Sequence, residues 1–141
     1  MITAVDSSVL LDVFGPDQDF GERSAAALRT CLAEGGLVAC EVVWAEVAAA
    51  GPSTDAARVA MERLGVDFLP LSQAAALEAG DAWRAYRQAG GPRNRVIADF
   101  LIGAHAATDA ERLLTRDRGF YRAYFEGLEV VDPTGDADSR R

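Results

Sequence analysis

Short apolar runs alternate with longer amphipathic stretches along the whole chain. Residues 2–5, ITAV, predict a buried strand that ends at Asp6. Ser7 follows, and Val9, Leu10 and Val13 carry the apolar pattern into a short helix. The segment GPDQDFG at 15–21 breaks it. Residues 22–34 are Ala-rich and predict a helix closed by Gly35-Gly36. LVA at 37–39 is a second strand, and EVVWAEVAAA is helical up to Gly51-Pro52. Ser53 is placed to cap a helix over 54–65. VDFLPL at 66–71 is a third strand, and Ser72 caps a longer helix over 73–89. After Gly90-Gly91-Pro92 another helix runs over about 95–108. RLLT at 112–115 is a fourth strand leading to Asp117, residues 118–125 form a short helix or turn, and LEVVD at 128–132 is a fifth strand.

Strands that alternate with helices in this way imply an α/β fold, with a parallel sheet covered on both faces. Ligands of such sheets bind beyond the carboxyl ends of the strands, where the strand order reverses. Asp6 and Asp117 lie at the ends of the first and fourth strands. If those strands are neighbours, the reversal falls between the two acids. Asp99 lies on the helix that leads to the fourth strand, and Glu46 on the helix after the second, so all four can reach one edge.

The 141 residues suit one domain, expected over 1–133, and half of them are hydrophobic. The polar tail 134–141 is expected to be disordered. A net charge of −8 argues against a protein that coats nucleic acid non-specifically, because long-range attraction to phosphate needs the opposite sign. No apolar run reaches the ~18 residues of a membrane span, and the N-terminus lacks the basic region of a signal peptide. A cytoplasmic protein is expected. Cys31 and Cys40 form no CxxC and read as small apolar residues. All 14 basic residues are Arg. Schiff-base and P-loop chemistry, which need Lys, are therefore excluded.

The candidate chemistry lies in Asp6, Glu46, Asp99 and Asp117. Taken singly, Asp6 and Asp117 read as helix caps. Glu46 stands among Val42, Val43, Trp44 and Val47, and Asp99 stands within VIADFLIGAHA. An acid in so apolar a helix is rarely buried without a partner. Carboxylates gathered without histidine suit a hard divalent cation, Mg²⁺ or Mn²⁺, and such an ion on an α/β scaffold points to phosphate chemistry. His105, the only histidine, is six residues after Asp99 and off its helix face, so a two-histidine mechanism is excluded.

Four motifs in order then become informative: VDSSVLLDVF, WAEV, RNRVIADFLIGAHA and LLTRDRGFY. Together they resemble the PIN-domain family, and within it the VapC-type toxins of bacterial toxin–antitoxin pairs. The resemblance covers nearly the whole chain. It implies a three-layer sandwich with a five-stranded parallel sheet of order 3-2-1-4-5, and a metal-dependent endoribonuclease using Mg²⁺ or Mn²⁺. By that likeness Asp6, Glu46, Asp99 and Asp117 match the acidic metal-site positions, and Ser7 and Thr115 match supporting hydroxyls. Some members carry a further acid near Gly119, which this chain lacks. The likeness also implies a VapB-type antitoxin, an RNA substrate and a homodimer.

Arg93, Arg95, Arg116, Arg118 and Arg122 lie close to Asp99 and Asp117 in sequence. They can form a phosphate-binding rim on an acidic protein, or a solvated salt-bridged surface. Trp44, Trp83, Tyr86, Phe120, Tyr121 and Tyr124 have faces that can stack bases, although packing accounts for most of them. Other classes fit less well. A response-regulator receiver needs a lysine, and a haloacid-dehalogenase-type phosphatase needs an Asp where Ser8 stands. A non-catalytic PIN-like RNA-binding or interaction module is the alternative.

Overall fold

A computed structural model describes residues 1–15, 18–92 and 95–134. Five strands form one sheet: β1 (Ile2–Val5), β2 (Gly36–Ala39), β3 (Val66–Phe68), β4 (Arg112–Leu114) and β5 (Glu129–Val131). Seven helices stand between them among the described residues: α1 (Ser7–Phe14), α2 (Gly21–Ala33), α3 (Glu41–Ala50), α4 (Thr54–Leu64), α5 (Gln73–Gln88), α6 (Ile97–Asp109) and α7 (Arg118–Tyr124). The strand order is β3-β2-β1-β4-β5 and every pairing is parallel.

Thr3, Ala4 and Val5 are all buried, as are Arg112, Leu113 and Leu114. Successive strand residues point to opposite faces, so both faces of the central strands are covered by helices. β1 pairs with β2 on one side and β4 on the other. The order therefore reverses between β1 and β4, and Asp6 and Thr115 both emerge there. The Asp6 amide donates to the Leu114 carbonyl at 2.9 Å, which extends the ladder one step past β1.

Three local expectations need correction. The third strand stops at Phe68 and does not reach residue 71. Pro70 has no N–H for a sheet ladder, so the strand ends after one last bond from the Leu69 amide to Ala39. The helix expected over 95–108 begins at Ile97, with Val96 at its N-cap. Gly35-Gly36 does not form a left-handed helix cap, since neither residue has positive φ. Gly36 opens β2, and Gly35 is small because a Cβ there would lie 1.9 Å from the Met1 carbonyl oxygen. The caps at Ser53 and Ser72 are present, accepting from the amides of Ala56 at 3.0 Å and Ala75 at 3.1 Å. The tail beyond residue 134 and Arg93 lie outside the described residues.

Candidate metal centre

Asp6 stands at the N-cap position of α1 yet makes no cap hydrogen bond. Its carboxylate instead accepts from three hydroxyls: Thr115 at 2.6 Å, Ser8 at 3.2 Å and Ser7 at 3.4 Å. Thr115 is fully buried, and its hydroxyl oxygen also accepts from the Asp117 amide at 3.0 Å. One side chain thus fixes both strand-end acids. Ser7 also reaches Glu46 at 3.0 Å, joining the start of α1 to the middle of α3.

Asp99 lies in the first turn of α6, half-buried, and accepts from the Val96 amide at 3.3 Å. Asp117 precedes α7 and likewise makes no cap bond. It is paired with Arg95 at 2.5 Å, whose guanidinium lies 4.2 Å over the Phe120 ring.

The electrostatics join the four acids. Burial raises the Asp6 carboxyl above the usual carboxylate range, and the hydroxyls of Thr115 and Ser8 offset part of that rise. Glu46 keeps an exposed flank, but crowding against the protein raises it too, and the charges of Asp6 and Asp99 add to the rise. Tyr121 is buried, and its phenol is pushed up first by desolvation and then by the charges of Asp6, Asp99 and Asp117. The charges of three acids therefore act on one phenol, and the fourth acid feels two of them.

Among the described residues no three His, Cys, Asp or Glu side chains form a ready metal cage. Asp99 is turned to its own helix and Asp117 to Arg95. The chemistry of the four acids still fits a hard divalent ion: each offers carboxylate oxygens, and burial raises the carboxyls of Asp6 and Glu46.

The proposed arginine rim is divided by the structure. Arg95 faces the acids. Arg116 turns away and grips the buried Asp12 through two bonds, at 2.8 and 3.0 Å, with its guanidinium 4.2 Å over Phe20. Arg118 lies 3.6 Å from Asp132, and Arg122 is exposed in the last turn of α7. His105 is packed near Asp109 and Glu41, away from Asp99, and burial lowers its pKa. Cys31 and Cys40 are both free and buried.

The sequence names Tyr121 only as a ring that can stack or pack, and it gives no role at the acids to Ser8 or to Asp12. Ser8 is visible in VDSS as a second hydroxyl, two residues after Asp6. Asp12 carried the same signal as Asp99, an acid in an apolar helix, yet it serves a structural ion pair. That signal alone does not separate ligand from strut.

The chain matches the PIN domain family over residues 3–126, and it belongs to that family. A search of the curated proteins returns no match. Several solved structures share the fold. VapBC-1 from nontypeable Haemophilus influenzae matches with a TM-score of 0.72 at 20% identity, covering 96% of this chain and 100% of that one. VapBC2 from Rickettsia felis, bound to a DNA fragment from its promoter, matches at 0.70 and 17%, covering 94% and 98%. FitAcB from Neisseria gonorrhoeae matches at 0.67 and 21%, covering 96% and 100%.

Proposed function

We propose that this PIN domain is a metal-dependent endoribonuclease that acts as the toxin of a VapBC-type toxin–antitoxin pair. The observation that supports the reading is the hydroxyl frame in which Ser7 ties Asp6 to Glu46 and Thr115 ties Asp6 to Asp117, with the charge of Asp99 felt by Glu46. A bound Mg²⁺ or Mn²⁺ would lower the pKa of an attacking water and offset the charge growing on a scissile phosphate. The chain's own residues prepare that site. Thr115 and Ser7 hold Asp6 and Glu46 in place, which fixes the direction of two ligand carboxylates. Tyr121 is buried against Phe120 and Phe125, and its phenol feels the charges of Asp6, Asp99 and Asp117. Arg95 uses one N–H on Asp117 and has others to offer a phosphate oxygen. Water as the nucleophile needs no 2′-hydroxyl and no second histidine.

The partner reading has its own support. Chains of this fold occur in a structure described as a toxin–antitoxin complex and in one described as a member of the VapBC family of toxin–antitoxin systems. In this protein an apolar groove of about 500 Å³, lined by Leu11, Phe14, Val47 and Ala57, lies between α1, α3 and α4. Its chemistry suits the apolar face of an antitoxin helix. The proposal includes a homodimer and a cytoplasmic setting. No helix among the described residues is long and apolar enough to cross a membrane. An Arg or Lys of the antitoxin entering the carboxylates would displace the ion, as Arg95 already engages Asp117. An antitoxin that stops cleavage while Mn²⁺ stays bound would reject that step.

The test is cleavage of total cellular RNA by the antitoxin-free protein with Mg²⁺ or Mn²⁺, with EDTA, and in Asp99→Asn. Discrete cuts that need the ion and vanish in the variant are expected. Mn²⁺ binding without any cleavage would instead favour a non-catalytic RNA-binding or interaction module.

A further inference from the structure

A second concave site lies beside the carboxylates, between the end of α5 and the start of α6. It has a volume of about 650 Å³, and its walls include Trp83, Arg87, Gly91 and Arg95. We infer that this cavity is a nucleotide subsite that receives an unpaired base of the RNA strand adjoining the scissile phosphate. The inference rests on the endoribonuclease reading above and adds where the strand lies.

Continuity is the first argument. Arg95 lines the cavity and also sits 2.5 Å from Asp117, so the cavity and the acids meet across one side chain. A strand with a phosphate at the acids would meet this opening within one side chain's reach.

The chemistry of the walls is the second. Trp83 is half-buried and carries the Arg87 guanidinium 4.7 Å from its ring centroid. An indole beside a planar cation suits a nucleobase, which stacks, and its phosphate, which pairs with charge. Among the described residues, the lining has two guanidinium groups and no acid. On a chain of net charge −8 that is a local reversal of sign, which suits an anion.

Preorganisation is the third. Tyr86 forms a fixed wall, packed 5.4 Å from Phe100 and 5.2 Å from Tyr124 between ring centroids, with its hydroxyl donated to the Pro92 carbonyl. The Gly91 backbone lies directly on that ring, since a Cβ there would come within 2.5 Å of Tyr86 Cζ. Val96, exposed at the rim, offers apolar surface to a base edge. A base can enter only when splayed from its neighbours, so the subsite selects single-stranded RNA over duplex.

Trp44 and Trp83 are the chain's two tryptophans, which gives a direct readout. In Asp99→Asn protein carrying Trp44→Phe, Trp83 is the sole indole. Titration with short homopolymeric ribo-oligonucleotides should quench its emission, and an oligonucleotide without bases should not. Trp83→Leu should weaken RNA binding about tenfold, the effect of losing one stacked base, and Arg87→Ala, an exposed change, should weaken it severalfold by removing a charge that pairs with phosphate. Both should leave Mn²⁺ affinity unchanged. RNA that is bound and cut by the parent protein, with no response of Trp83 and no loss in either variant, would overturn the subsite alone. Absence of both RNA binding and metal-dependent cleavage would overturn the endoribonuclease reading and the subsite with it. A broken dimer with unchanged RNA binding in the two variants would assign this face to a second copy of the chain, against the inference.

Discussion

Arg95 places its guanidinium 2.5 Å from the carboxylate of Asp117, and it stacks on Phe120 while doing so. A cation of the chain itself therefore holds one of the four acids proposed to bind metal. Both side chains keep some solvent contact, so the pair is screened and is worth roughly 0.5–1 kcal/mol. Arg95→Gln is expected to tighten Mn²⁺ binding about two- to fivefold while weakening RNA binding. Calorimetric titration with Mn²⁺ checks the first sign. Weaker Mn²⁺ binding in the variant would mean that Arg95 organises the acids and does not compete for them.

Thr115 carries two bonds from full burial, one to Asp6 and one from the Asp117 amide. Thr115→Val keeps the shape and removes both. A buried carboxylate and a backbone N–H then lose a partner, at a cost of roughly 2–3 kcal/mol. Thr115→Ser should restore most of the loss. Urea unfolding of the two variants measures the difference, and equal stability would remove Thr115 from the supporting frame.

Acidity should act on the metal-free protein in an unusual direction. The carboxyls of Asp6 and Glu46 are raised, chiefly by burial. A raised acid holds its proton more tightly in the folded state than in the unfolded one. Their contribution to stability is therefore complete at low pH. It falls as pH rises from the ordinary carboxylate range through the raised folded values. Metal-free protein should lose stability across that window, and added Mn²⁺ should restore more of it as pH rises. Asp6→Asn should raise the Tm of the metal-free protein at neutral pH while removing the gain from Mn²⁺. Thermal melts with and without Mn²⁺ check both signs, and a lower Tm for metal-free Asp6→Asn would contradict the account.

Arg116 belongs to a different frame. It grips Asp12, which is only 4% exposed and also accepts from Ser24 at 2.8 Å. Arg116→Ala leaves that carboxylate buried without its cation, a loss of about 3 kcal/mol or more. The variant should unfold at lower urea. A variant of wild-type stability that bound RNA more weakly would return Arg116 to the phosphate rim.

The parts of the fold that local physics decides were legible. Apolar runs marked the strands, and Ser53 and Ser72 marked helix starts. The acids at the ends of β1 and β4 followed from where those runs stopped. The resemblance of four motifs supplied the strand order, which periodicity alone did not. What remained hidden depends on chain segments meeting in space. Arg116 finds Asp12 across 104 positions, and Gly35 is small because Met1 passes over it. Tyr121 lies in a run of aromatics, RGFYRAYF, that does not reveal which ring turns toward the acids. Pro70 was visible in VDFLPL, and its missing N–H was enough to shorten the strand.

The most direct test of the account is Mn²⁺ binding, followed by calorimetry, to the wild-type protein and to Asp6→Asn, Glu46→Gln, Asp99→Asn and Asp117→Asn. If the four carboxylates form one metal centre, the wild type binds Mn²⁺ and every single variant binds it much more weakly, with the fold intact by circular dichroism. Mn²⁺ binding that survives in all four variants, or that is missing from the wild type, would contradict the claim that these acids share an ion.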